Sequence, residues 1–221
     1  GKELGIQKAD TNAQVVDFAD VVFLAVKPQF LEEVLDEIKD NVKEGQIFIS
    51  IAPGKTLQWL GAHLGEGTKI IRTMPNTPAM VGEGMTALCV NEQVTEQETL
   101  LAVTLCNTFG KTEVIPECLM DVVVGVSGSS PAYVFMFLEA MADAAVADGM
   151  PRAQAYKFAA QAVLGSAKLM LETGKHPGEL KDMVCSPAGT TIQAVRVLEE
   201  KGLRSAVIEA QMECVKKAKG M

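Results

Sequence analysis

The sequence predicts an α/β part followed by an all-α part, and three patterns carry that reading. Short unbroken apolar runs alternate with amphipathic segments as far as about Pro116. No strand pattern recurs beyond that point. The second part is instead rich in alanine and methionine, with prolines where helices would start. Runs alternating in this way indicate a doubly wound parallel sheet, and the alanine-rich remainder indicates packed helices.

Taken in order, residues 21–26 form an unbroken apolar run, the mark of a strand covered on both faces. Phe30, Leu31, Val34, Leu35 and Ile38 then fall on one helical face. A second buried strand is expected over residues 47–51. Two buried strands around one helix favour a right-handed parallel crossover. A short helix starts near Thr56 and groups Leu57, Leu60 and Leu64. Strands follow at 69–72 and 86–90. Thr95 and Glu98 form a capping-box signature for the next helix, and residues 112–115 make a last short strand. After it, helices are expected over 132–147, 152–172, from Pro177, over 191–201 and over 203–219. Pro151 and Pro177 sit where a missing N–H costs nothing. The domain boundary is placed between 118 and 119, giving parts 1–118 and 119–221.

Composition narrows the function. The 221 residues carry a net charge of −8 with both signs interspersed and no basic stripe, which argues against nucleic acid. No uninterrupted apolar run reaches the ~18 residues of a membrane span, and the polar opening Gly1-Lys2-Glu3 is unlike a signal peptide. The five cysteines are widely spaced without a Cys-x-x-Cys pair, and there are two histidines. Neither a metal site nor a disulfide framework is expected, and reduced thiols fit a cytoplasmic protein. No Gly-x-Ser-x-Gly elbow exists, and neither His63 nor His176 has the context of a catalytic base, so a serine hydrolase is disfavoured.

Four segments can carry chemistry. Ala25-Val26-Lys27-Pro28 ends the first strand, where open parallel sheets bind ligands; it is either a ligand contact or a plain strand-to-helix turn. Arg72-Thr73-Met74-Pro75-Asn76-Thr77-Pro78 is a proline-stiffened loop that is either a rigid holder or an ordinary turn. Ser127-Gly128-Ser129-Ser130-Pro131-Ala132-Tyr133 is either a small-anion pocket or a capped helix start. Glu117, ten residues earlier, either faces a cationic amine or is solvated. Ser186-Pro187-Ala188-Gly189-Thr190-Thr191-Ile192 opens another helix, whose free first-turn N–H groups and dipole favour a carboxylate; the alternative is an N-cap at Thr190 or Thr191.

Together these segments resemble the pyrroline-5-carboxylate reductase family, in its bacterial wording, from about Asn12 to the C-terminus. That resemblance implies a dinucleotide-binding (Rossmann) first part and a helical part that interlocks into a homodimer, with dimers assembling into a decamer. It implies reduction of the C=N bond of 1-pyrroline-5-carboxylate to L-proline, the last step of proline biosynthesis, with NADPH or NADH. It further implies cofactor contacts at Asn12, Ala25, Val26, Lys27, Pro28 and Ala52. Ser186, Gly189 and Thr190 would cradle the substrate carboxylate, Thr191 would assist the ring nitrogen, and Glu117 would be a substrate-site carboxylate. Two positions depart from the family pattern: Ser130 and Ala188 stand where glycine is common. A Gly-x-Gly-x-x-Gly turn is absent and residues 1–20 are too short for the unit that bears it. The expectation is a chain lacking roughly 50 leading residues, by the size of a βαβ unit, and inactive alone. The alternatives are a related two-domain hydroxy-acid dehydrogenase or a non-catalytic oligomerisation module.

Overall fold

The structure, a computed structural model, describes residues 5–220. They divide into two units: the chain up to Ser129 together with the segment from Cys214 on, and Ser130–Glu213. The first unit holds α1 (Asn12–Phe18), β1 (Val21–Leu24), α2 (Pro28–Ile38), β2 (Ile47–Ser50), α3 (Leu57–Leu64), β3 (Lys69–Met74), β4 (Gly84–Val90), α4 (Glu96–Cys106) and β5 (Gly110–Val114).

The five strands lie in the order β1-β2-β3-β4-β5. β1, β2 and β3 pair in parallel, as do β4 and β5. The β3–β4 pair is antiparallel, which departs from an all-parallel expectation. The reason is chain length. Residues 75–83 contain one 3₁₀ turn, Thr77–Val81, and are too short for a crossover helix. The starts of β4 and β5 therefore share an edge with the C-terminal ends of β1–β3. Gly84 and Gly110 are register partners there. A Cβ on Gly110 would fall 2.0 Å from the Gly84 carbonyl oxygen, so only glycine lets the two strands begin side by side.

Each sheet face has its own core. Val22, Leu24, Phe48 and Ile70 meet Leu31, Leu35 and Ile38 of α2 and Leu60 and Leu64 of α3. On the other face Ile47, Ile49, Ile71 and Leu88 meet Ala102 of α4. β1 is the exception to the expectation of two covered faces. The α4 side reaches Val21, but Phe23 stays 43% exposed.

Local signals fix the helix starts. Thr56 caps α3 by accepting from Trp59 N–H at 3.0 Å. Thr95 and Glu98 complete the expected capping box of α4. Glu98 also takes the Lys69 ammonium at 2.5 Å. The Lys69 hydrogen bond first, then that from the Thr95 backbone, pull the Glu98 carboxyl down to about 2 from 4.5. A carboxyl depressed by folding contributes stability that is present above its unfolded value and lost as pH falls through its folded one. The stability gap between wild type and Glu98→Gln is therefore expected to be full above pH 4.5 and to close as pH falls toward 2, as read by denaturant titration.

The rest of the chain is helical: α5 (Met120–Val123), a π turn Val124–Gly128, α6 (Ser130–Ala147), α7 (Arg152–Thr173), α8 (Pro177–Val184), α9 (Thr190–Glu200) and α10 (Leu203–Lys219). Residues 117–128 are helical, where no element was expected. In the second unit small residues let α6 and α7 approach: Ala142, Ala155 and Ala159 are buried. Large apolar side chains remain outside, among them Phe135, Met136, Phe158 and Leu171, the last 84% exposed. Among the described residues the helical run 117–147 is long and apolar enough, by length and composition alone, to cross a membrane. The earlier expectation counted only uninterrupted apolar runs. This run passes because its acidic residues are few and spaced.

Candidate active site

The C-terminal ends of β1, β2 and β3 border a cleft of about 790 Å³ in the first unit. One wall is Met74, Pro75, Asn76 and Thr77, the turn leaving β3. The facing wall is Val124, Gly128 and Ser129 of the π turn and its end. Phe23 and Ile51 contribute apolar surface, so the cleft suits a flat, uncharged ring.

Buried polar contacts hold these walls. Arg72 is 4% exposed; its Nη1 donates to Glu117 Oε1 at 3.1 Å, and its Nη2 lies 3.8 Å from Asp121 Oδ1. The same Glu117 oxygen accepts from Leu57 N–H at 2.7 Å, fixing the first turn of α3. Burial, and after it the Glu117 charge, push the neighbouring Cys89 thiol up to about 12, so it stays protonated. Thr73 Oγ1 donates to the Ser50 carbonyl at 3.1 Å, tying β3 to β2 at the cleft edge.

Two expectations need correction here. Glu117 is neither simply solvated nor facing an open amine position: Arg72 and the Leu57 amide engage it, while its side chain stays about one-third exposed. The serine-rich segment is not a free helix start. It lies inside a continuous helical run, where Ser129 N–H donates to Val124 O and Ser127 Oγ donates to Val123 O. The Ser129 amide is therefore spent within the helix. Ser129 Oγ instead lies 3.1 Å from Cys214 Sγ.

In the second unit, residues 186–189 lead into α9. Gly189 is the N-cap and makes no side-chain cap bond, so the cap is neither Thr190 nor Thr191. Those threonines are the first and second helical residues, and their N–H groups are among those an α-helix leaves unpaired. Gly189 N–H donates to Ser186 O at 3.0 Å. A Cβ on Gly189 would come 2.4 Å from Ser186 Oγ, so glycine permits the hydroxyl to fold across the helix start. Ser186, Gly189, Thr190 and Thr191 are thus brought together. Ala188 holds φ +56°, in the left-handed region that glycine favours. Left-handed backbone costs an L-residue roughly 1–2 kcal/mol, while glycine adds about 0.4–1 kcal/mol of unfolded-chain freedom. Ala188→Gly is therefore expected to leave stability unchanged or raise it by up to about 1.5 kcal/mol, and Ala188→Val to lower it, as read by chemical denaturation.

The residues expected to touch a cofactor are spread along the first unit. Asn12 opens α1, and its side chain donates to Glu37 Oε2 at 2.7 Å. Ala25, Val26 and Lys27 follow β1, with Lys27 as N-cap of α2 and Pro28 at its first turn. Ala52 is buried behind the end of β2. Pro28 borders a second cleft of about 520 Å³, with Pro53, Gly54, Lys55 and Trp59. There the Lys55 ammonium stands 3.9 Å above the Trp59 ring, and the His63 ring lies 4.0 Å from it. The cleft residues Phe23, Ile51, Pro53 and Phe109 were not anticipated; the Ile51-Ala52-Pro53 sequence directly after a buried strand was the signal available. Among the described residues no cluster of three or more histidine, cysteine or acidic side chains could hold a metal ion.

Comparison with known proteins decides the family. The model described as pyrroline-5-carboxylate reductase dimerisation matches residues 117–221. The model described as NADP oxidoreductase coenzyme F420-dependent matches residues 2–54. The pyrroline-5-carboxylate reductase of Escherichia coli is 58% identical over 216 residues, 98% of this chain and 80% of that protein. The chain belongs to the pyrroline-5-carboxylate reductase family. Two solved reductases agree with this placement. That of Coxiella burnetii superposes with a TM-score of 0.93 at 37% identity, covering 99% of this chain and 82% of the other. That of Plasmodium falciparum, solved with NADP bound, gives 0.88 at 30% identity over 98% and 85%. The fold is therefore a reductase's Rossmann-like, mainly parallel sheet followed by a helical dimerisation region. The match to a dimerisation model over residues 117–221 supports a homo-oligomer.

Proposed function

We propose that this chain works as an NAD(P)H-dependent reductase of 1-pyrroline-5-carboxylate, forming L-proline in the cytoplasm. The nicotinamide cofactor supplies the hydride. Everything else falls to the chain: a ring must be held flat, a carboxylate held in place, and a proton offered to a basic nitrogen. The supporting observation is the start of α9, an N-terminus with no side-chain cap bond, where the Ser186 hydroxyl folds against Gly189 and two threonines open the helix.

On this reading residues 1–118 serve the cofactor and residues 119–221 the substrate and the dimer. The apolar cleft beside Met74–Thr77 takes the nicotinamide, its lining offering surface without competing charge. Ala25, Val26, Lys27, Pro28 and Ala52 flank the rest of the dinucleotide. Asn12, held by Glu37, stands where α1 begins. The first-turn amides at Thr190 and Thr191, with Ser186, bind the substrate carboxylate through the helix dipole. The Thr191 hydroxyl donates to the ring nitrogen as it becomes an amine. Glu117 acts from a distance by fixing Arg72 and the start of α3. Dimers then assemble into a decamer, which sedimentation equilibrium would read directly.

The test follows cofactor absorbance with the cyclic imine and, separately, with a 2-keto acid. It uses this chain and a version lengthened at its N-terminus to the span of the E. coli relative. Imine turnover by the lengthened protein is the expected result. Reduction of the keto acid without the imine would overturn the proposal in favour of a hydroxy-acid dehydrogenase.

A further inference from the structure

The Asn76 carboxamide does two jobs at once. Its Oδ1 accepts from Met85 N–H at 2.8 Å, at the start of β4. Its Nδ2 donates to the Ser127 carbonyl at 3.0 Å, inside the π turn. The second contact has a cause in the sequence. An α-helical carbonyl at 127 would accept from the N–H of residue 131, but residue 131 is proline and has none. A carbonyl stripped of its helical donor at a cleft wall needs another. The helix widens locally to a π turn at that place, with Ser129 N–H reaching back five residues to Val124 O. Such single π turns recur at functional sites. The two sides of the Asn76–Ser127 bond are the two walls of the cleft, Met74–Thr77 and Gly128–Ser129. Gly128 is not demanded by its surroundings, since a Cβ there would meet nothing nearer than 3.8 Å.

We infer that Asn76 is a positioning residue which sets the width of the cleft, holding the π-turn wall at the distance a nicotinamide ring needs. This rests on the cofactor reading above. Asn76 carries no charge and shuttles no proton; it acts through the peptide at Ser127–Gly128.

Asn76→Asp is the discriminating variant. It keeps an oxygen for Met85 N–H and replaces the donor to Ser127 with an acceptor. Pro131→Ala, added to it, returns a backbone N–H that can serve Ser127 from within the helix. The lengthened reductase is titrated with NADPH by its reduced-nicotinamide fluorescence, and amide exchange is followed at Met85 and Ser129. Asn76→Asp is expected to weaken NADPH about tenfold, the equivalent of one ordinary hydrogen bond. It should speed exchange at Ser129 while leaving Met85 protected, and raise the KM for NADPH more than it lowers kcat. The double variant should recover affinity to within about twofold of wild type. Asn76→Ser, too short to reach both partners, should expose both amides and weaken NADPH as well. Unchanged NADPH affinity in Asn76→Asp, or no recovery on adding Pro131→Ala, would overturn the inference. Failure of the lengthened protein without substitutions to reduce the imine while these NADPH effects hold would overturn the substrate reading and leave this one standing.

Discussion

Thr191→Ala is expected to lower kcat for the imine by roughly 10²–10³-fold, the usual loss for one preorganised donor to a developing charge. Thr191 is the second residue of α9, behind the Gly189 N-cap, and its side chain has no hydrogen-bond partner among the described residues. An uncommitted hydroxyl at a helix start is suited to a substrate that arrives and leaves. Its backbone N–H is unchanged by the substitution, so carboxylate binding and KM should move little. Thr191→Ser, which keeps the hydroxyl, should retain most of the turnover. Steady-state kinetics on the lengthened enzyme separates the two effects. Full turnover in Thr191→Ala would remove the residue from the reaction.

The second large effect is on stability. Arg72→Met removes the cation that Glu117 and Asp121 share and leaves two carboxylates facing a buried strand end. Breaking a buried pair by deleting one partner costs about 3–5 kcal/mol. Both carboxylates remain about one-third exposed, which favours the lower end. For a chain of this size that is a fall of roughly 6–12 °C in Tm. Arg72→Met with Glu117→Gln should recover part of the loss, because the neutral amide no longer needs a cation and can still accept from Leu57 N–H. Differential scanning calorimetry of the two variants and the wild type decides this. A single variant that melts with the wild type would show that the cluster is better solvated than its burial implies.

The sequence was most legible where local physics and tertiary structure agree. Thr95 and Glu98 announce a helix start because both bonds lie within one turn. Pro177 does so because its ring presets the first helical residue. Residues 117–128 were unreadable for the opposite reason. Val122, Val123, Val124 and Val126 favour strands, and Gly125 and Gly128 favour turns. What makes the stretch helical comes from elsewhere in the chain: Arg72 on Glu117 and Asn76 on Ser127. The antiparallel turn of β4 could have been anticipated from the nine residues available between Met74 and Gly84. The start of α9, after Ser186–Gly189, was legible because glycine and threonine at a helix start follow local capping rules. Glu117 could not, since a carboxylate's partner 45 residues away leaves no trace in local spacing.

Trp59, the one tryptophan in the chain, lies between Lys55 and His63 at the start of α3. All indole emission from this protein therefore originates in one corner of the α/β unit, beside the Lys55 ammonium and the His63 ring. The helical unit, Ser130–Glu213, is silent at those wavelengths. A fluorescence melt monitors the α/β unit, and agreement with far-ultraviolet dichroism becomes the criterion for whether the two units lose structure in one transition or two.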